Sequence, residues 1–171
     1  MLAVGRTIRK TTFKDLPEVM KIYADGRQIM YNCKNPEQWG DFHPPQSMVE
    51  EDIKQGKSYV YVVNLDGLSE AILAVFFLCT EPDPTYKVID GSWLNEEPYG
   101  TVHRIARRDI PEAKGAGAFC LNWCYDQTKN IRIDTHKDNV PMLKLLKNLG
   151  YTECGIIYLE NGDERVAFQK S

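Results

Sequence analysis

Apolar residues first recur at helical spacing near the start of the chain, where Leu16, Val19, Met20 and Tyr23 share one face. Asp15 stands as an N-cap and Pro17 is tolerated in a first turn, so a short amphipathic helix is predicted over 15–23. Ser47 followed by Glu50 forms a capping box ahead of Val49 and Ile53, and Gly56 then supplies a stop, which predicts a second short helix. The segment between them, CKNPEQWGDFHPPQ, has the Pro, Asn and Gly of a loop, yet it also carries Trp39, Phe42 and His43 as anchors. From Ser58 the period changes. SYVYVVNL and AILAVFFLC are rich in β-branched and aromatic residues and are separated by DGLSE, the pattern of two antiparallel strands joined by a hairpin connection. YKVIDGSWL, interrupted at Gly91, and TVHRIAR from Thr101 are two further expected strands.

The second half is organised differently. TVHRIAR leads through a Gly-containing turn into the apolar segment AFCLNWCYDQT and then into IRIDTH; strand, helix and strand in this order make a parallel crossover. The next helix is the clearest in the chain, with Met142, Leu145, Leu146 and Leu149 at i, i+3, i+4 and i+7 and Gly150 at its C-terminal end. GIIYLE, an Asn161-Gly162 turn and RVAFQ predict a closing hairpin. These elements imply one α/β (α+β) domain over residues 1–171, with a mixed, mostly antiparallel sheet whose central parallel strands are flanked by helices.

Composition narrows the function classes. With 171 residues, 43% hydrophobic and 26% charged, the chain has the make-up of a folded domain with a continuous core. Lys and Arg number 21 against 24 Asp and Glu, a net charge of -3, which gives no electrostatic reason to expect nucleic acid. The longest apolar run, Ala71 to Cys79, is about half the roughly 20 residues of a membrane-spanning helix, so no membrane partner is expected. Five scattered cysteines and a start without an apolar leader fit a cytoplasmic protein with reduced thiols. No metal is expected: Cys120 and Cys124 lie at i and i+4 among Phe119, Leu121 and Trp123, and neither Cys-x-x-Cys nor His-x-x-x-His spacing occurs. A cysteine nucleophile would need an adjacent base that the pattern does not supply.

Candidate chemistry starts at Lys114, Gly115, Ala116, Gly117 and Ala118, between a strand and a helix. The first helical amides there have no intrahelical partners, small residues let an anion approach, and the helix dipole adds attraction, as a pyrophosphate would require. The same letters also suit a plain tight turn. A Walker loop is absent, and the dinucleotide fingerprint would need a small residue where Cys120 stands.

HRIARRDIPEAKGAGAF followed by IRIDTHKDNVPMLKLLKNLGY resembles the acetyl-CoA signature of the GCN5-related N-acetyltransferase (GNAT) family over about 50 residues, and the order of elements matches that family over the whole chain. The resemblance implies an N-acetyltransferase using acetyl-CoA. The pantetheine arm would then lie along Ile105, Ala106 and Arg107, the pyrophosphate on Lys114 to Ala118, and Asn139 would help to hold the cofactor. On chemistry alone Asn139 reads equally as a helix cap. Two positions depart from the family pattern. Glu112 stands where Gln or Arg is usual, and Leu146 stands where many members carry a tyrosine that protonates the leaving thiolate. Tyr151 ends the motif as core packing.

Attack on a thioester requires removing a proton from an ammonium of pKa about 10.4. In IRIDTH, Arg132, Asp134 and His136 alternate with Ile131 and Ile133, which lays a polar stripe on one face of the strand. Proton transfer is therefore assigned among His103, Asp134 and His136. The competing reading makes His103 a core histidine and joins Arg104, Arg132 and Asp134 in an ion pair across the strands. Tyr31, Trp39, Phe42 and His43, with Trp93, are the candidate acceptor walls, or else core anchors. The acceptor would be a small amine, an amino acid or peptide, or a protein amino group, and family members often form homodimers. The alternatives are an acyl-CoA-binding module of the same fold without turnover, favoured by Leu146, and an interaction protein that presents a hairpin edge.

Overall fold

The computed structural model describes residues 5–64, 67 and 69–171. Among these residues eight strands form one sheet: β1 (Gly5–Lys10), β2 (Ser58–Asn64), β3 (Glu70–Cys79), β4 (Asp90–Gly91), β5 (Gly100–Arg107), β6 (Ile131–Thr135), β7 (Thr152–Tyr158) and β8 (Glu164–Lys170). Their order is β1-β2-β3-β5-β6-β8-β7-β4. Every pairing is antiparallel except β5 with β6, which confirms the mixed, mostly antiparallel sheet. Helices α1 (Leu16–Asn32) and α2 (Gln46–Lys54) cover one face, and α3 (Ala116–Thr128) and α4 (Val140–Asn148) cover the other. No helix among the described residues is long and apolar enough to cross a membrane.

Burial on both faces explains why β2 and β3 are apolar throughout rather than alternating. Val60 and Val62 of β2 pack with Val19, Ile22 and Val49 beneath α1 and α2, while Tyr61 and Val63 join Leu121 and Leu146 beneath α3 and α4. The parallel pair is short. Only Gly100 with Ile131 and Thr101 with Arg132 are in register, and the remainder of β5 has no β6 partner, so the sheet opens between these strands.

Several elements differ from the sequence expectation. β1 was not foreseen; GRTIRK carries three cations and one apolar side chain, and gains strand geometry by pairing along β2. Helix α1 runs to Asn32, well beyond Tyr23, through Gly26, an interior glycine that on propensity alone costs about 1 kcal/mol. Packing requires it there, because a Cβ would stand 3.0 Å from Ala106 Cβ and 3.1 Å from the Trp39 ring. Asp15 does not cap α1 through its side chain; its carboxylate takes the Thr12 amide and the Arg9 guanidinium instead. Helix α2 begins after Pro45 without the Ser47–Glu50 box. The strand expected over 86–94 shrinks to β4, since the segment folds back on itself and Trp93 Nε1 donates to the Tyr86 carbonyl at 3.0 Å. The DGLSE connection falls partly on Leu65, Asp66 and Leu68, which lie outside the described residues.

Candidate active site

Two cavities meet where β5 and β6 part. The first, about 230 Å³, is a largely apolar cleft lined by Ile105, Ala106 and Arg107 of β5, by Gly115, Gly117 and Ala118, by Gly26, Ile29, Met30 and Cys33 of the α1 end, and by Asn139, Pro141, Met142 and Leu145. Gly115, the residue before α3, has φ +84 with open space around its Cβ position, so its backbone conformation rather than lack of room calls for glycine. No side chain caps α3, and its first amides are left for a ligand. An apolar channel ending at an uncapped helix N-terminus fits the chain of pantetheine and a pyrophosphate. Lys114 is exposed beside this turn, and Ala116 is buried beneath it.

Asn139 caps α4, accepting the Met142 amide at 3.3 Å, and its Nδ2 donates to Gln38 Oε1 at 3.0 Å. It also lines both cavities, so the cap and the cleft wall are one residue.

The second cavity, about 540 Å³, holds the titratable groups. His103 Nε2 lies 2.7 Å from Asp83 Oδ2, and Nδ1 lies 3.9 Å from Asp134 Oδ1. Burial works against ionisation of Asp83, but hydrogen bonds from His103 and Thr85 prevail and hold its carboxyl down to about 2. The Tyr86 hydroxyl donates to Asp134 Oδ1 at 2.6 Å; burial, reinforced by the Asp134 charge, pushes its pKa well up, so it stays a donor. His43 closes one side of the cavity. Burial and the nearby Arg104, Arg27 and Arg165 lower its pKa below the ordinary 6.5 and keep it neutral at pH 7.

Arg104 shapes the junction. His103 faces Phe77 and Ala106 faces Val75, so two residues of β5 oppose one of β3, and Arg104 at this bulge has φ +50. It is held by two bonds to Asp52 of α2, at 2.9 and 2.8 Å, and by stacking 4.4 Å over the Phe77 ring.

No protein-family model matches the sequence, and no curated protein matches it. Among solved structures, an acetyltransferase of the GNAT family from Streptococcus agalactiae is 27% identical, with a TM-score of 0.84 over 99% of this chain and 96% of that one. This neighbour is a GNAT-family acetyltransferase over the whole chain, which bears out the resemblance and supports an acetyl-CoA-dependent N-acetyltransferase. Two more distant structures share its fold. A Listeria monocytogenes GNAT acetyltransferase is 17% identical with a TM-score of 0.66, covering 99% of this chain and 98% of that one. The NatC complex bound to Gag peptide and CoA is 11% identical with a TM-score of 0.64, covering 98% of each chain.

Within this GNAT frame the predicted residues separate. Ile105 to Arg107, Gly115, Gly117, Ala118 and Asn139 line the cleft, while His103, Asp134, Trp39 and His43 line the larger cavity. His136 lines neither; its Nδ1 accepts the Asp138 amide at 3.2 Å and closes the turn after β6. Tyr31 is exposed and outside both cavities. Trp93 borders a third cavity, where its ring and that of Tyr99 sandwich the Arg132 guanidinium. The ion pair expected among Arg104, Arg132 and Asp134 does not form. Arg104 turns to Asp52, Arg132 turns to the Asn95 carbonyl and Glu96, and Asp134 takes the Tyr86 hydroxyl. Leu146 is fully buried in the core, so the position where the family often has tyrosine lines neither cavity. Cys120 and Cys124 are core thiols; burial pushes Cys120 up to about 12 and Cys124 higher, which removes them as nucleophiles.

Asp83, Tyr86 and Arg165 were missed by sequence reasoning. The first two sit in or beside the turn-rich TEPDPT, which gave no periodic signal, and Arg165 reads as an ordinary outward residue of a hairpin strand.

Proposed function

We propose that acetyl transfer takes place where the cleft opens into the larger cavity, with the acceptor's primary amine entering from the His103 and Asp134 side. The carrying observation is that both spaces are lined by Met30, Ile105, Asn139 and Met142, so a group at the end of the cleft is presented directly to the acceptor cavity. That the NatC structure, of the same fold, is bound to CoA and a peptide supports the assignment.

Acetyl-CoA supplies an activated acyl group as a thioester. The protein's part is to position the amine and take its proton. The ionised Asp83 accepts from His103 Nε2, which fixes the tautomer and leaves Nδ1 as an acceptor facing Asp134. Asp134, oriented by Tyr86, attracts the ammonium, and His103 Nδ1 takes one of its protons so that the freed lone pair forms the C–N bond; as the C–S bond breaks, the second nitrogen proton passes to the departing thiolate, which leaves as the free thiol of CoA. Direct attack within a ternary complex follows, because the one thiol on the cleft, Cys33, has no histidine or carboxylate hydrogen-bonded to it among the described residues to activate it.

The test is free-thiol release from acetyl-CoA with a panel of amines, run on Asp134→Asn and His103→Gln beside the wild type. Each variant should lower kcat by about 10²-fold or more while CoA affinity stays within about two-fold. Wild-type turnover in both variants would reject this assignment.

A further inference from the structure

Arg165 is 6% exposed on β8 and forms part of the acceptor cavity. Among the described residues its one hydrogen bond to the protein is Nη1 to the neighbouring Glu164 carbonyl, at 2.9 Å. Among the described residues no carboxylate lies within ion-pair distance of it. Arg104 is tied to Asp52, Arg9 to Asp15 and Glu70, Arg108 to Glu18, and Arg132 to Glu96. Asp163, two residues away and lining the same cavity, does not pair with it; its carboxylate accepts from Asn161 instead. A buried guanidinium cannot shed its proton, and leaving it without an anion is costly. Its free donors need an acceptor, and the cavity is the space available to a ligand.

The position of Arg165 says where that anion sits relative to the reacting amine. Asp134 of β6 faces Ala167 of β8, and Arg165 lies two residues from Ala167, on the same face of the sheet. The strand diagonal between such residues is about 7–8 Å, short enough for one small molecule to meet both. The cavity therefore has an anionic end, Asp134 with Asp83 behind His103, and a cationic end at Arg165. We infer that the acceptor is a free amino acid or a close analogue, with its ammonium at Asp134 and His103 and its own carboxylate on Arg165. This rests on the acetyltransferase reading of the cavity. A carboxylate suits the site better than a phosphate. Glu37, Asp83, Asp134 and Asp163 all line the cavity, and a group carrying nearly two negative charges would be repelled more strongly than a single one. A peptide N-terminus has an amide where a free amino acid has its carboxylate, and an amide leaves Arg165 without a charged partner.

The test compares each of the standard amino acids with its own carboxamide, together with short peptides and phosphorylated amines. Binding to the CoA-loaded full chain is measured by calorimetry, and acetylation is measured by thiol release. At least one free amino acid should bind about 30-fold or more tightly than its carboxamide, and kcat/KM should follow. Arg165→Gln should bring that ratio close to one, with Arg165→Lys in between. Three results overturn the inference: no amino acid preferred over its carboxamide, including the case where neither binds; an unchanged ratio in Arg165→Gln; or peptides or phosphorylated amines preferred. If Arg165→Gln fails to fold, the wild-type comparison and Arg165→Lys still decide. Carboxylate-dependent binding without acetylation of any amine would instead remove the acetyltransferase reading and leave the carboxylate subsite standing.

Discussion

Arg104 sets two energies against each other, and the structure says which is larger. Its φ of +50 places a bulky side chain in the left-handed region, a strain of about 1–2 kcal/mol that glycine would relieve. Against this stands a bidentate pair with Asp52, the two side chains only 15% and 10% exposed, and breaking such a buried pair costs about 3–5 kcal/mol because a charge is left behind. Stacking on Phe77 adds about 0.5–2 kcal/mol. Arg104→Gly, the substitution that backbone conformation favours, should therefore destabilise the protein by about 3 kcal/mol, lowering Tm by about 6–12 °C for a domain of this length. Pairing it with Asp52→Leu should recover much of the loss. The pH dependence supplies an independent check. Burial raises the Asp52 carboxyl above its ordinary 3.8, opposed by Arg104. Without Arg104 the native carboxyl binds its proton still more tightly than the unfolded one does. Stability of Arg104→Gly should then rise as pH falls from 7 towards 4, and the Tm gap to the wild type should narrow. Thermal melts of the three proteins across that range measure all of this. An Arg104→Gly variant that melts at or above the wild type would show that strain dominates and would refute the reasoning.

Two further outcomes are expected. Gly115→Val meets no neighbour within 4 Å, but a β-branched residue cannot hold φ +84, so the turn ahead of α3 must rearrange; calorimetry should show CoA affinity reduced by about 10-fold or more in a folded protein, and unchanged affinity would remove the anion site from that turn. His43 has its pKa lowered by burial and by Arg104, Arg27 and Arg165, so below the unfolded value of 6.5 the native state binds fewer protons than the unfolded state; Tm should fall as pH drops through that value, and His43→Gln should flatten this part of the curve.

What could be read from the sequence follows the kind of interaction involved. The alternation of Ile131 and Ile133 with Arg132 and Asp134 predicted opposite faces, and the strand is arranged that way. The isoleucines enter the core under α3 and α4, and Asp134 faces the larger cavity. The Leu145 and Leu146 stripe and the Gly150 stop were legible for the same reason, since local periodicity determines them. The length of α1 was not. Propensity argues for a break at Gly26, and only the close approach of Trp39 and Ala106, distant in sequence, explains why the helix continues. The polar stripe was correctly placed but wrongly partnered: Arg132 found two aromatic rings and Asp134 found a phenol, and spacing along one strand carries no information about either.

The two sides of the site differ in the same respect, and this bears on how their functions diverge. The proposed cofactor side is built largely of backbone: amides at one helix start, the unpaired edge of β5, and small residues that clear the approach. Backbone sites depend on local conformation, so one continuous stretch, HRIARRDIPEAKGAGAF, holds most of the proposed one, and the resemblance persists even where Glu112 and Leu146 depart from the pattern. The proposed acceptor side is built of side chains from the α1–α2 loop, the turn before β4, β5, β6 and the closing hairpin. Side chains on these segments that do not also line the cleft can change while the cleft is kept, which allows one fold to retain its cofactor while it exchanges acceptors. Arg165 illustrates the point. On β8 it is one exchangeable side chain at the far end of the chain from Trp39, yet among the described residues it is the buried charged side chain of the cavity that no ion pair matches, and under the proposed reading the acceptor's chemistry answers it.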